Sequence, residues 1–154
     1  MRWPNDVLVR NRKLAGLLLD QFAPGRVVAG IGINVRNQPE ASDQRLSGQT
    51  CRLAGLLKTA PDLRELTSRV LENLRQVIEV LSTGSSGVDA LLPRINQLWA
   101  GDRRVELDLD GRLEQGRFSG VDRAGRLGLT DAHGATTFYD ASQVRHLTEI
   151  EKNP

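Results

Sequence analysis

Lys13 is the residue of the N-terminal region best placed to do chemistry. It stands at the mouth of an apolar run, with Leu14, Ala15 and Leu17 as small or apolar neighbours. A lysine there can hold its ammonium against an anion while its stem packs along a sheet. Gly16, Gly30 and Gly32 interrupt runs that are otherwise Val, Ile and Leu. Glycine weakens a strand interior and often marks a place where a ligand approaches the backbone closely. One such glycine is as readily a bulge. Three on adjoining strands, near Lys13 and with Asn34 beyond them, suggest the floor of a groove. The chemistry this allows is capture of a buried anionic group. "GIGIN" is not a dinucleotide fingerprint, because the third glycine is missing and no helix opens there. Arg10 and Arg12 on the same tip read as solvated charges. In "WPND", Pro4 pushes Trp3 towards an extended conformation, and Asn5 and Asp6 can turn back onto their own backbone. Taken alone, that is a capped strand entry.

Elements that could position these residues follow from the periodicity. Val7 to Val9, Leu14 to Phe22 and Val27 to Val35 are β-favouring runs separated by "RNRK" and "APGR". Such short connections predict an antiparallel meander. The second and third runs are almost continuously apolar, which predicts burial on both faces. "RNQPEASDQRLSGQT" is polar and loop-like, and a short helix is expected over about Thr50 to Leu57. Leu63, Leu66, Val70, Leu74, Val77, Ile78 and Leu81 recur at three- and four-residue steps, predicting a helix over Asp62 to Ser82. After "TGSSG" a second helical pattern runs through Leu91, Leu92, Ile95, Leu98 and Trp99, with Pro93 in its first turn or kinking it. From Gly101 the texture changes to short alternating strands punctuated by Asp-Gly and His-Gly turns, which predict a small antiparallel barrel. The expected fold is α+β: a mixed or antiparallel sheet backed by helices over residues 1–100, then an SH3-like barrel over residues 101–150.

Composition narrows the function classes. With 154 residues the chain can bury one core, or a moderate core plus a satellite. Its 39% hydrophobic and 26% charged residues describe a globular rather than a disordered protein. The net charge of +2 is spread rather than massed, so DNA binding is not expected. Cys51 is the single cysteine, which excludes an internal disulfide and a cysteine metal cluster; it reads as a small half-buried side chain. No metal-ligating set stands out. No run approaches the length of a membrane span and no signal pattern opens the chain, so a cytoplasmic location is expected.

"WPND", "RKLAGLLLD" and "GIGINV" at these separations resemble the bacterial biotin protein ligases. The resemblance continues through the Leu-rich helix, "RINQLW" and the C-terminal barrel, and so covers essentially the whole chain. It implies a two-step ligation in which biotin and MgATP give biotinyl-5′-adenylate and pyrophosphate. The acyl group then passes to a lysine of a biotin carboxyl carrier protein. By resemblance Lys13 is the catalytic lysine beside the biotin carboxylate and the α-phosphate. Gly16, Leu18, Gly30 and Gly32 match positions lining the biotin pocket. Asn5 and Asn34 match adenylate contacts, and Asp6 matches the metal or nucleotide side.

Departures from the family shape the expectation as well. The family's glycine- and arginine-rich loop, and the polar residues that hold the biotin ureido group, precede the Trp-Pro-Asn-Asp motif, where this chain has Met1 and Arg2. Near the end "SQVRHL" stands where "GEVSLR" is typical, placing Leu147 at the usual terminal arginine. The chain is therefore expected to be the C-terminal half of a ligase, inactive or weakly active alone, and to form a homodimer through its unpaired sheet edge. A non-catalytic module binding biotin or the carrier protein is the second reading. A small β-barrel adaptor for an unrelated partner is the third.

Overall fold

The three apolar runs pair because their connections are too short for any other arrangement. In the computed structural model, which describes residues 1–37, 39, 43–98 and 103–150, they form β1 (Asp6–Val9), β2 (Arg12–Ala23) and β3 (Arg26–Ile33). The sheet order is β1-β2-β3, antiparallel throughout. Arg10 and Asn11 make the first turn with φ of 49° and 61°, and Val9 lies opposite Arg12. Two consecutive left-handed residues match the twist of a two-residue hairpin. Asn11 takes that conformation easily; Arg10 does so at a cost in strain. Pro24 and Gly25 make the second turn, Gly25 at φ 70°.

Side chains opposite one another share a face of the sheet. Val7, Ala15 and Ile33 are on one face, with Ile31 and Ala29 further along it. Towards that face lies the helix α1 (Leu63–Leu81), and Ala29, Ile31, Ile33, Leu66, Val70 and Leu74 are among the residues lining an apolar cleft of about 370 Å³. Asp62 starts α1 by accepting hydrogen bonds from the backbone N–H groups of Arg64 and Glu65 at 2.9 and 3.1 Å. The expected burial of β2 and β3 on both faces is not observed. Leu18 and Leu19 are 70% and 68% exposed, and Phe22, Val27 and Val28 are also exposed. The apolar run is a correct sign of strand, but no described element covers the far end of this three-stranded sheet.

Two further expectations change. The helix over Thr50 to Leu57 shrinks to one 3₁₀ turn, Leu53–Gly55. The second helix, α2 (Ser85–Leu98), begins inside "TGSSG", so Pro93 lies well past its first turn. The tight corner explains the early start. Gly84 ends α1 at φ 75°, and a Cβ on Gly87 would lie 2.0 Å from the Val80 carbonyl oxygen. Only glycine lets α2 turn back so soon. Trp99 and the expected boundary at Ala100 lie outside the described residues. By compactness the chain divides within α1, at Arg75/Gln76.

In the second unit β4 (Arg104–Leu109), β5 (Arg112–Val121), β6 (Leu127–Thr130), β7 (Thr136–Tyr139) and β8 (His146–Ile150) form an antiparallel sheet ordered β7-β6-β5-β4-β8. Asp110 and Gly111 join β4 to β5 with positive φ, as the Asp-Gly pair dictates. β8, unrecognised in the sequence, is formed by "HLTEI" beside β4. The described strands do not close a barrel, since β7 and β8 are the two edges. Leu107 and Leu127 are fully buried, with Val105, Leu129 and Tyr139 around them. Asn96 fastens α2 to β5, accepting from the Val121 N–H at 2.8 Å and donating to the Val121 carbonyl at 3.1 Å.

Tyr139 donates its phenolic proton to Glu114, which also pairs with Arg112 at 2.5 Å. Burial first, and the Glu114 carboxylate second, hold the Tyr139 hydroxyl above its usual value of 10.0. Because Tyr139 is the only tyrosine, tyrosinate absorbance on alkaline titration reads it alone. The expected midpoint lies above 10.0, and Glu114→Gln lowers it. The linkage sign follows. The stability from neutral Tyr139 is complete below the unfolded value and is lost as pH rises through the higher folded one. A midpoint at or below that of free tyrosine would show that the Tyr139–Glu114 contact does not form in solution.

Candidate active site

Regular alternation would put Lys13 and Gly16 on opposite faces of β2. They share a face because the strand is irregular between them. Asp6 lies opposite Gly16 and Val7 opposite Ala15, but Leu8 lies opposite Lys13, leaving Leu14 as an extra residue. A bulge of this kind re-aims side chains. Here it carries Lys13 over Gly16: a Cβ added at Gly16 would lie 3.2 Å from both Cε and Nζ of Lys13. The ammonium ends 2.5 Å from Asp6 Oδ1, with side-chain exposures of 44% for Lys13 and 17% for Asp6. Asp6 Oδ1 is buried and makes no directional hydrogen bond, so the ammonium charge is its compensation.

Beyond Gly16 the same face stays open. Gly32 lies opposite Gly16, and Gly30 opposite Leu18. A Cβ on Gly32 would meet only the Gly16 carbonyl oxygen, at 4.0 Å; one on Gly30 would meet Leu18 at 3.7 Å or more. Four of the residues singled out in the sequence, with Asp6 and Lys13, thus lie on one face: an ion pair at one end, then bare backbone, then exposed Leu18. The face opposite the α1 side is the one left open.

Asn5 and Asn34 are placed differently. The Asn5 side chain is exposed, while its carbonyl accepts from the Leu17 N–H at 2.9 Å. Asn34 sits just past β3 and is engaged with the bulge. Its N–H donates to the Leu14 carbonyl at 2.9 Å and its Nδ2 to the Lys13 carbonyl at 3.4 Å, while its Oδ1 accepts from Asn37 at 3.0 Å.

Sequence reasoning missed a further support. The Lys13 N–H donates to the Gln49 carbonyl at 2.8 Å, and the Lys13 carbonyl accepts from the Cys51 N–H at 2.9 Å. This short parallel bridge centres on buried Thr50. Cys51 is buried, its Sγ 3.4 Å from the Arg12 carbonyl oxygen. A local motif cannot signal such a pairing, because it joins backbone groups far apart in sequence. Among the described residues no group of three or more His, Cys, Asp or Glu side chains could hold a metal ion, and no helix is long and apolar enough to cross a membrane.

No protein-family model matches the chain. Over 148 residues, 96% of its length, it is 37% identical to the biotin–[acetyl-CoA-carboxylase] ligase of Mycobacterium tuberculosis, of which the match covers 53%. A shorter match, 42% identical over 45 residues, links it to the ligase of the same name from Paracoccus denitrificans, covering 27% of this chain and 19% of that one. Its fold matches the biotin protein ligase from Aquifex aeolicus in complex with biotin and ATP at a TM-score of 0.80 and 20% identity, over 97% of this chain and 62% of that one. The apo structure of the Aquifex aeolicus ligase matches at a TM-score of 0.78 and 20% identity, over 97% of this chain and 65% of that one. The chain spans about half the length of the Mycobacterium tuberculosis relative. Along nearly its whole length the chain is thus similar in sequence to a biotin–[acetyl-CoA-carboxylase] ligase, and its fold is that of the matching part of biotin protein ligases.

Proposed function

We propose that this chain carries the lysine-bearing part of a biotin-activating site, and that it acts in ATP-dependent biotinylation of a biotin carboxyl carrier protein. In the first step a biotin carboxylate oxygen attacks the α-phosphorus of MgATP. The bond to the β-phosphate breaks, and pyrophosphate leaves. In the second step the amine of the carrier lysine attacks the acyl carbon, AMP leaves with the bonding pair, and the amine proton passes to solvent. Lys13 serves the first step by placing a positive charge between two anions that must meet. Gly16, Gly30 and Gly32 let biotin lie against bare backbone, with Leu18 as an apolar wall. By the family resemblance Asn5, Asp6 and Asn34 are assigned to the nucleotide. Asp6 is a single carboxylate, so magnesium enters with the ATP phosphates as part of the substrate.

Support comes above all from one observation: the bulge in β2 holds the Lys13 ammonium over Gly16, at the head of an open glycine face. Residues 1–100 are read as part of a ligase catalytic domain and residues 101–150 as its SH3-like C-terminal domain. Calorimetry with biotin and with biotinyl-5′-AMP tests the reading on the chain as it stands. The expected result is weak binding, in the millimolar range for biotin and tighter for the adenylate, with the adenylate's advantage lost in Lys13→Ala. An adenylate that binds no better than biotin, or equally well without Lys13, would overturn it. Adenylate binding with no turnover, even when an upstream ligase half is added, would favour a non-catalytic binding module instead.

A further inference from the structure

Asn34 is tied to the Lys13 bulge by two hydrogen bonds and to a neighbouring segment by a third. Its backbone N–H holds the Leu14 carbonyl, and its Nδ2 donates to the Lys13 carbonyl. Its own carbonyl accepts from the Leu53 N–H at 2.9 Å, just after the segment that also grips Lys13 through Gln49 and Cys51. Neither end of the carboxamide is idle, because Asn37 donates to its Oδ1. We propose that Asn34 is a positioning residue for Lys13: its side chain fixes the bulged peptide whose conformation aims the ammonium across Gly16 at Asp6. This rests on the reading of Lys13 given above, and it assigns Asn34 a task distinct from contact with a nucleotide.

The physical argument concerns the extra residue. A bulge leaves peptide groups outside the ladder, and an unpaired backbone carbonyl in a half-buried position is costly. At this bulge the Lys13 carbonyl is paired only through the short parallel bridge, and it has two lone pairs. Cys51 serves one and Asn34 the other. With the second donor gone, the peptide can rotate about the remaining bond, and the four-carbon stem amplifies that rotation at Nζ. The bond is long, so the expected effect is modest: roughly threefold to tenfold, the scale of one hydrogen bond.

The sequence makes the test clean. Lys13-Leu14 is the only Lys-Leu pair in the chain. Lysine labelled with ¹³C at the carbonyl, combined with ¹⁵N-leucine, therefore gives one carbonyl–amide NMR correlation, reporting the Lys13 carbonyl alone. Lysine labelled at Cε gives signals for Lys13, Lys58 and Lys152, with Lys13 assigned through Lys13→Arg. Asn34→Asp keeps the shape but replaces the donor; Asn34→Ala removes it. In both, the Lys13 carbonyl and Cε signals should shift, and acetylation of Lys13 by a small anhydride should quicken about threefold to tenfold. Lys58 should be unchanged in signal and in rate. Lys13 signals and reactivity at parental values in either folded variant would overturn the proposal. Loss of fold in both variants would also overturn it, by making Asn34 a general structural residue. No step of this test needs ligase turnover, so Asn34 can succeed here even if Lys13 fails as a catalytic group, and the reverse.

Discussion

Complemented with the upstream half of a related ligase, the chain carrying Lys13→Ala should form biotinyl-5′-AMP at least ~100-fold more slowly than the parent, the scale of losing one well-placed electrostatic donor. Single-turnover adenylation, followed by release of pyrophosphate, is the measurement. Lys13→Arg should recover little, because a planar fork does not occupy the position of a compact ammonium. The fold should persist. Lys13 is 44% exposed, so its pair with Asp6 contributes at most about 1 kcal/mol after solvent screening. Its loss nevertheless leaves a buried carboxylate oxygen uncompensated. Lys13→Ala combined with Asp6→Asn should therefore regain the lost stability without regaining activity. Adenylation at the parental rate by folded Lys13→Ala would remove the residue from the chemistry. Unfolding of that variant would make it structural.

Gly16→Ala should slow the same step by up to ~100-fold, although it removes no functional group. The added Cβ would lie 3.2 Å from the Cε and Nζ of Lys13, closer than a comfortable contact. The obstacle is the tip of a flexible side chain, so the lysine moves and the strand survives. Displacement of a reacting or stabilising group by about 1 Å can cost two orders of magnitude in rate. Stability should change little, which separates this case from a packing defect. Gly32→Ala is the natural comparison, since its Cβ would meet only the Gly16 carbonyl oxygen at 4.0 Å and leaves Lys13 untouched. That variant should weaken binding of the ligand while Lys13 keeps its place. Equal adenylation rates for the Gly16→Ala and parental chains would show that Lys13 need not lie over residue 16.

The sequence alone determined the strands other than β8, the first helix and the resemblance to biotin ligases. Alternation, Pro-Gly and Asp-Gly turns and a three- and four-residue apolar step are local properties, each legible within a dozen residues. The same locality explains what was misread. "TGSSG" has the composition of a turn, but the corner at Gly87, where a Cβ would lie 2.0 Å from the Val80 carbonyl oxygen, folds its last three residues into α2. Apolar continuity in β2 and β3 signals strands, yet burial depends on what lies above them, and Leu18 and Leu19 remain exposed. For the candidate site, residue types drew attention to Lys13 and the three glycines, whereas tertiary structure decided their relation. One extra residue at Leu14 puts Lys13 on the face of Gly16 and Asp6, and it is held there by Asn34, Gln49 and Cys51 from distant parts of the chain. A period of two cannot reveal where it is broken, because the break is stabilised by hydrogen bonds that exist only once those segments meet.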